Sequence, residues 1–171
     1  MKTAPFFLVV FVLLAGCSSI KVEHNYDDTV DFAPYQTYAF HDEETQVEGT
    51  LAPRVAVARA VKDEIDSELS ADGYRKVTDN PDFLVAFHVS VIDPVSASYN
   101  PGRYTAWGQG SSMITTVSEG TLIVDIIDAE SNELVWRGTA SGGVERGGDS
   151  DKAAKKIHDA VHKVMAKFPP R

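Results

Sequence analysis

The stretch EGTLIVDIIDAESNELVWRGTASG, residues 119–142, constrains the fold of this chain more than any other. Leu122, Val124 and Ile126 recur at every second position, the period of a strand with one buried face. Glu130-Ser131-Asn132 then reads as a three-residue hairpin loop, a type I turn closed by Asn132 in the left-handed region. That register pairs Ala129 with Glu133 and sets Ile126 opposite Trp136 and Asp125 opposite Arg137. The first facing pair is expected in the core and the second as an ion pair on the other side of the sheet.

The remaining strands and helices follow from their own periods. In PDFLVAFHVSVI, Phe83, Val85, Phe87, Val89 and Val91 make one apolar face. Leu84, Ala86, His88, Ser90 and Ile92 make a smaller, more polar one. Val22–Tyr26 alternates as a strand, and Gln36–Phe40 reads as another after Pro34. Between Leu51 and Asp72 the period turns helical. Val57, Ala58, Val61, Ile65 and Leu69 share a face, while Arg59, Asp63, Asp66 and Ser67 share the opposite one. Pro53 suits the first turn, and Gly73 suits the left-handed position past the end. A last helix over 151–167 begins near Asp149 or Ser150, buries Ile157, Val161, Val164 and Phe168, and stops at Pro169-Pro170. Asp79-Asn80-Pro81 marks a turn, and strands are expected over 113–128 and 133–142.

The order is β-β-α-β-β-β-α. It predicts an α+β two-layer sandwich, with two helices on one face of a mainly antiparallel sheet. At 171 residues, 43% of them apolar and 24% charged, the chain suits one globular domain able to bury a core without staples. The formal charge of −9 opposes nucleic acid and bare anionic membrane.

The leader is the most informative functional segment. One Lys precedes FFLVVFVLLA, ten apolar residues that span roughly 15 Å as a helix, half of a hydrocarbon core of about 30 Å. This is the h-region of a secretory signal peptide, not a membrane span. Leu14-Ala15-Gly16-Cys17 resembles the bacterial lipobox. The resemblance implies cleavage after residue 16 and lipid on Cys17, the only cysteine, followed by a short tether over 17–21 and a domain over 22–171. Two or three acyl chains hold where one does not, at about 0.8 kcal/mol per buried CH₂. Ser18 stands where an Asp usually retains such proteins in the inner membrane, which implies the periplasmic face of the outer membrane.

DFAPYQTYAF, PDFLVAFHVSV, EGTLIVDIIDAESNELVWRGTASG and AVHKVMAKFPP together resemble a bacterial lipoprotein family known as domain of unknown function 4136. The resemblance covers nearly the whole mature chain and implies a lipid-anchored envelope protein. It brings no catalytic residues with it. Asn132 stands where many such hairpins carry Gly, and it tolerates the same left-handed conformation.

Three residue sets are candidates for chemistry. His88, Asp125 and Arg137, with Ser90 and Thr139, share the polar sheet face if the register holds. A Ser, a His and an Asp there invite a hydrolase, but no Gly-x-Ser-x-Gly elbow or oxyanion-hole signal accompanies them. His158 and His162 are four apart on a helix, a spacing that suits one metal, but no third ligand is near in sequence, so no metal and no cofactor is expected. Tyr99, Tyr104 and Trp107 lie in the loop of some twenty residues over 93–112, where exposed aromatics suit recognition of a glycan, peptide or lipid. Gly142-Gly143 and Gly147-Gly148 lack the Lys-Ser/Thr of a phosphate loop. The reading is a non-enzymatic envelope lipoprotein that binds an envelope partner or maintains the envelope. A carrier of small amphiphiles at the sheet and aromatic loop is the alternative, and a hydrolase the third.

Overall fold

The computed structural model describes residues 20–41, 46–47, 54–92, 118–144 and 150–170. In chain order these form β1 (Lys21–Tyr26), β2 (Thr37–Phe40), β3 (Gln46–Val47), α1 (Arg54–Ala71), β4 (Arg75–Lys76), β5 (Phe83–Ile92), β6 (Ser118–Asp128), β7 (Leu134–Val144) and α2 (Ser150–Met165). The expected order is present, with β3 and β4 added as two-residue pieces. β1 begins at Lys21, which pairs with Ser141, so the last residue of the expected tether already lies in the sheet.

The sheet runs β1-β7-β6-β5-β2-β4, with β3 also on β5. Its long strands are antiparallel, as the hairpin pattern requires. β2 is parallel to β5 because α1 lies between them in the chain and carries it back to the same end.

The hairpin register is correct where it matters and wrong at the tip. Asp125 faces Arg137 and Ile126 faces Trp136, but Ile127 faces Leu134. Asp128 N–H donates to the Glu133 carbonyl at 2.9 Å, so the loop has four residues, 129–132, and not three. A bulge at Val135 absorbs the extra residue and restores the register beyond it. The expected Ala129–Glu133 pairing is absent: Ala129 N–H donates to the Asp82 carbonyl at 3.1 Å. Asn132 has φ 58°, as its place in the turn demands.

Both helices lie on one face. Val61, Ile65 and Leu69 of α1 and Val161, Val164 and Met165 of α2 meet Phe83, Val85, Phe87, Leu122, Val124, Ile126 and Trp136 in one buried cluster, closed by Phe168. Asp66 is the exception on the outer face of α1: it is half-buried, accepts from the hydroxyl of the buried Tyr38 at 2.5 Å and pairs with Lys76 at 3.1 Å. Gly73, at φ 94°, ends α1: its N–H donates to Ser70 and that of Tyr74 to Leu69, the paired bonds of a Schellman cap.

Gly138 follows Trp136 by two residues and so lies on the same, helix-facing side. A Cβ there would overlap Trp136 Cη2 and stand 2.6 Å from Val164 Cγ1. The Trp-Arg-Gly run is therefore a packing device, with the glycine making room for the indole under α2.

Candidate functional site

Cys17, Tyr99, Tyr104 and Trp107 lie outside the described residues. The polar sheet face lies within them. Its rows read across the strands as Ala86–Asp125–Arg137–Asn25, then His88–Ile123–Thr139–Glu23, then Ser90–Thr121–Ser141–Lys21. His88, Asp125 and Arg137 do share this face, with His88 one row from the other two. Arg137 Nε donates to Asp125 Oδ1 at 2.6 Å and Nη2 to Oδ2 at 2.5 Å. Both carboxylate oxygens thus serve a bidentate ion pair, where a Ser–His–Asp relay needs the carboxylate to hold the imidazole.

His158 and His162 face α1. Their Nδ1 atoms lie 2.9 Å from Glu64 Oε2 and 2.9 Å from Glu68 Oε1, and their rings stack at 6.0 Å. Two i,i+4 pairs therefore interlock as rungs between the helices. The hydrogen bond to Glu64 holds the His158 pKa above its ordinary value, aided by the charge of the same carboxylate.

Sequence reasoning missed the strongest polar hubs. Asp82 accepts from Gln36 N–H at 2.9 Å, Thr37 N–H at 2.8 Å and the Thr37 hydroxyl at 2.8 Å. Asp128 accepts from Ser131 N–H at 2.7 Å, Glu130 N–H at 3.1 Å and the Tyr35 hydroxyl at 2.7 Å. Together they tie the start of β2, the start of β5 and the β6–β7 turn. The backbone N–H of Gln36 and that of Ser131 lead in holding the Asp82 and Asp128 pKa values below the ordinary carboxylate range. For Tyr35, burial first and then the bond to Asp128 push the phenol pKa up. Only the local part of one hub leaves a signal in the sequence: Asp128 stands two and three residues before Glu130 and Ser131, whose N–H groups it accepts, while the partners of Asp82 lie 45 and 46 residues away.

Beside these hubs lies a groove of about 590 Å³. Tyr26, Phe32, Tyr35 and Tyr74 contribute aromatic walls, Pro169 and Pro170 contribute flat apolar rings, and Asp31 and Asp72 contribute charge. Tyr26 is 41% exposed and meets Phe32 edge-on, and Phe32 meets Tyr35 edge-on in turn. Tyr74 tilts against Phe168, which anchors the wall to the core. The groove lies at the far end of β1 from Lys21, roughly 17 Å along the strand.

Residues 22–170 match the family described as Domain of unknown function (DUF4136), and the chain belongs to that family. No curated protein matches it. Among solved structures, it is similar to a PDZ domain protein from Parabacteroides distasonis, at 16% identity and a TM-score of 0.59 over 89% of this chain. It spans only 36% of that protein. It is also similar to PelC from Paraburkholderia phytofirmans, a dodecamer, at 13% identity and a TM-score of 0.54 over 89% of this chain and 99% of that one. At these identities the likeness is one of fold.

Proposed function

We propose that this chain is a lipid-anchored protein of the bacterial cell envelope, held through Cys17 on the periplasmic face of the outer membrane and serving there as a non-enzymatic binding module. The observation that carries the reading is the position of β1. Ile20 packs on the core and Lys21 is paired with Ser141, so the fold starts four residues after Cys17. Those four residues reach at most about 14 Å, which holds a lipidated domain close against the bilayer surface. The leader, the Leu-Ala-Gly-Cys run and Ser18 support anchoring and the outer-membrane address. The binding role is supported by an aromatic groove at the opposite end of β1.

The test is metabolic labelling with an alkynyl fatty acid. Wild-type protein takes up label and fractionates with outer membrane, while Cys17→Ser does neither and accumulates as precursor. Equal labelling of the two proteins removes the anchor from this reading.

A further inference from the structure

We propose that the groove between Tyr26 and Tyr74 is a docking site for a partner protein's extended segment that presents an arginine or lysine between apolar residues. The inference rests on the binding-module reading above and gives that module a site and a partner chemistry.

Charge complementarity selects the occupant. Asp31 and Asp72 both line the groove, and among the described residues its lining contains no Lys, Arg or His. The Tyr26 ring, 41% exposed although stacked on His24 at 6.3 Å, adds negative π-surface that attracts a guanidinium or ammonium. The net charge of −9 draws a cationic segment towards the surface over a longer range.

Hydrogen-bonding capacity argues for a peptide over a sugar. A glycan presents hydroxyls that need a dense set of donors and acceptors. The Tyr35 hydroxyl is already given to Asp128 at 2.7 Å, and one Asp31 oxygen already accepts from Ala33 N–H at 3.0 Å. The lining mixes polar groups and apolar rings in about equal measure: the aromatic and proline rings suit the apolar residues of an extended peptide, and Asp31 and Asp72 suit one cationic anchor between them. Placement is compatible as well: with lipid at Cys17, about 17 Å of β1 separates the groove from the strand end that follows the tether.

The test uses the full-length chain in detergent and fluorescence anisotropy. The probes are a labelled ten-residue peptide of leucine, proline and arginine, and its twin with glutamine at each arginine. The arginine peptide is expected to bind at least tenfold more tightly than its twin. Asp31→Asn with Asp72→Asn is expected to reduce that preference to within about twofold, and the amide placed at position 31 retains an oxygen that can accept from Ala33. Tyr26→Ala is expected to weaken both peptides about threefold or more. Raising NaCl from about 50 to 500 mM is expected to weaken the arginine peptide and spare the twin, which tests the charge without any variant. Equal affinity of the twins, no binding of either, or an arginine preference unchanged in the doubly substituted variant overturns the proposal. Displacement by the neutral hexamer of N-acetylglucosamine in place of peptide preference also overturns it, in favour of a glycan. Fatty-acid labelling of Cys17 is scored on the same preparations. Labelled protein that ignores the arginine peptide sinks the groove and leaves the anchor, and unlabelled protein that binds it does the reverse.

Discussion

The two faces of the sheet are made from alternate residues of the same strands, yet they obey different rules. On the helix side, Ile126 and Trp136 face each other with 0% and 1% of their surface exposed, and neighbouring Gly138 has no room for a methyl group unless Trp136 or Val164 shifts. One residue along each strand, Asp125 and Arg137 face each other across the open side, with 15% and 49% of their side chains exposed. One register sets both pairs. The difference teaches that the register is enforced by the buried pair and merely read out by the charged one. Interiors are close-packed and unforgiving of a single methylene, whereas exposed ion pairs are soft and screened.

The largest effect is therefore expected on the buried side. Trp136→Ala removes the indole from under α2 and should cost about 3–5 kcal/mol in urea unfolding, a large share of the roughly 5–15 kcal/mol that holds a domain together. Gly138→Ala is the sharper probe, because it adds one carbon where Trp136 Cη2 and Val164 Cγ1 already stand. About 1–3 kcal/mol of destabilisation is expected from that overpacking. A cost within about 0.5 kcal/mol, the usual range for a surface substitution, would mean that the indole does not rest on this glycine, and the contrast between the faces would collapse.

Next come the carboxylates that bind the groove end together. Asp82→Ala leaves two backbone N–H groups and the Thr37 hydroxyl without their acceptor. About 1–3 kcal/mol is expected, at the lower end if water reaches the freed groups. The pH dependence has a definite sign. Asp82 and Asp128 have pKa values lowered on folding, so their contribution is complete above the ordinary value of 3.8 and is lost as pH falls through the lowered folded values. Stability of the wild type below about pH 4 should fall more steeply than that of Asp82→Asn. Parallel acid-denaturation curves would contradict the role given to Asp82.

Why the sequence reveals the core and not these hubs has a physical basis. Burial imposes a period, and a period is visible in one dimension. Leu122, Val124 and Ile126 announce their face, and Val161, Val164 and Phe168 theirs. The hairpin tip escapes such a reading because a three-residue loop and a four-residue loop with a bulge at Val135 produce the same pairing from Ile126 inward. Asp82 and Asp128 act on partners 45 and 93 residues away, Thr37 and Tyr35, and no local spacing encodes such distances. The groove is hidden for the same reason. Its walls come from β1, the β1–β2 connection, the end of α1 and the tail after α2.

Between the buried and exposed extremes stand the two rungs that join α1 to α2. The Glu64 hydrogen bond raises the His158 pKa and outweighs the opposing pull of desolvation, while Asp159 and Glu68 add attraction of the same sign. Because the His158 pKa is raised on folding, its stabilisation is complete below the ordinary value of 6.5 and is lost as pH rises through the folded value. Glu64→Gln should therefore lower the Tm more at about pH 6 than at about pH 8.5, measured at constant ionic strength. A penalty that grows with pH would show that the rung is not an imidazolium–carboxylate pair.

The smallest effect belongs to Asp125 and Arg137, and it is the most diagnostic of register. A double-mutant cycle with Asp125→Asn and Arg137→Gln should give a coupling of about 0.2–1 kcal/mol, shrinking in high salt. Each single substitution should cost little, because Arg137 is half exposed and the amide introduced in either variant can still hydrogen-bond the remaining partner, even though Asp125 is only 15% exposed. Zero coupling at low salt would place the two residues on different rows, and a slip by one residue would also turn Trp136 out of the core. A weak pair on the open face thus reports on the strong pair behind it. If coupling survives in Gly138→Ala while total stability drops, the strain is absorbed by α2 lifting from the sheet and not by the strands slipping.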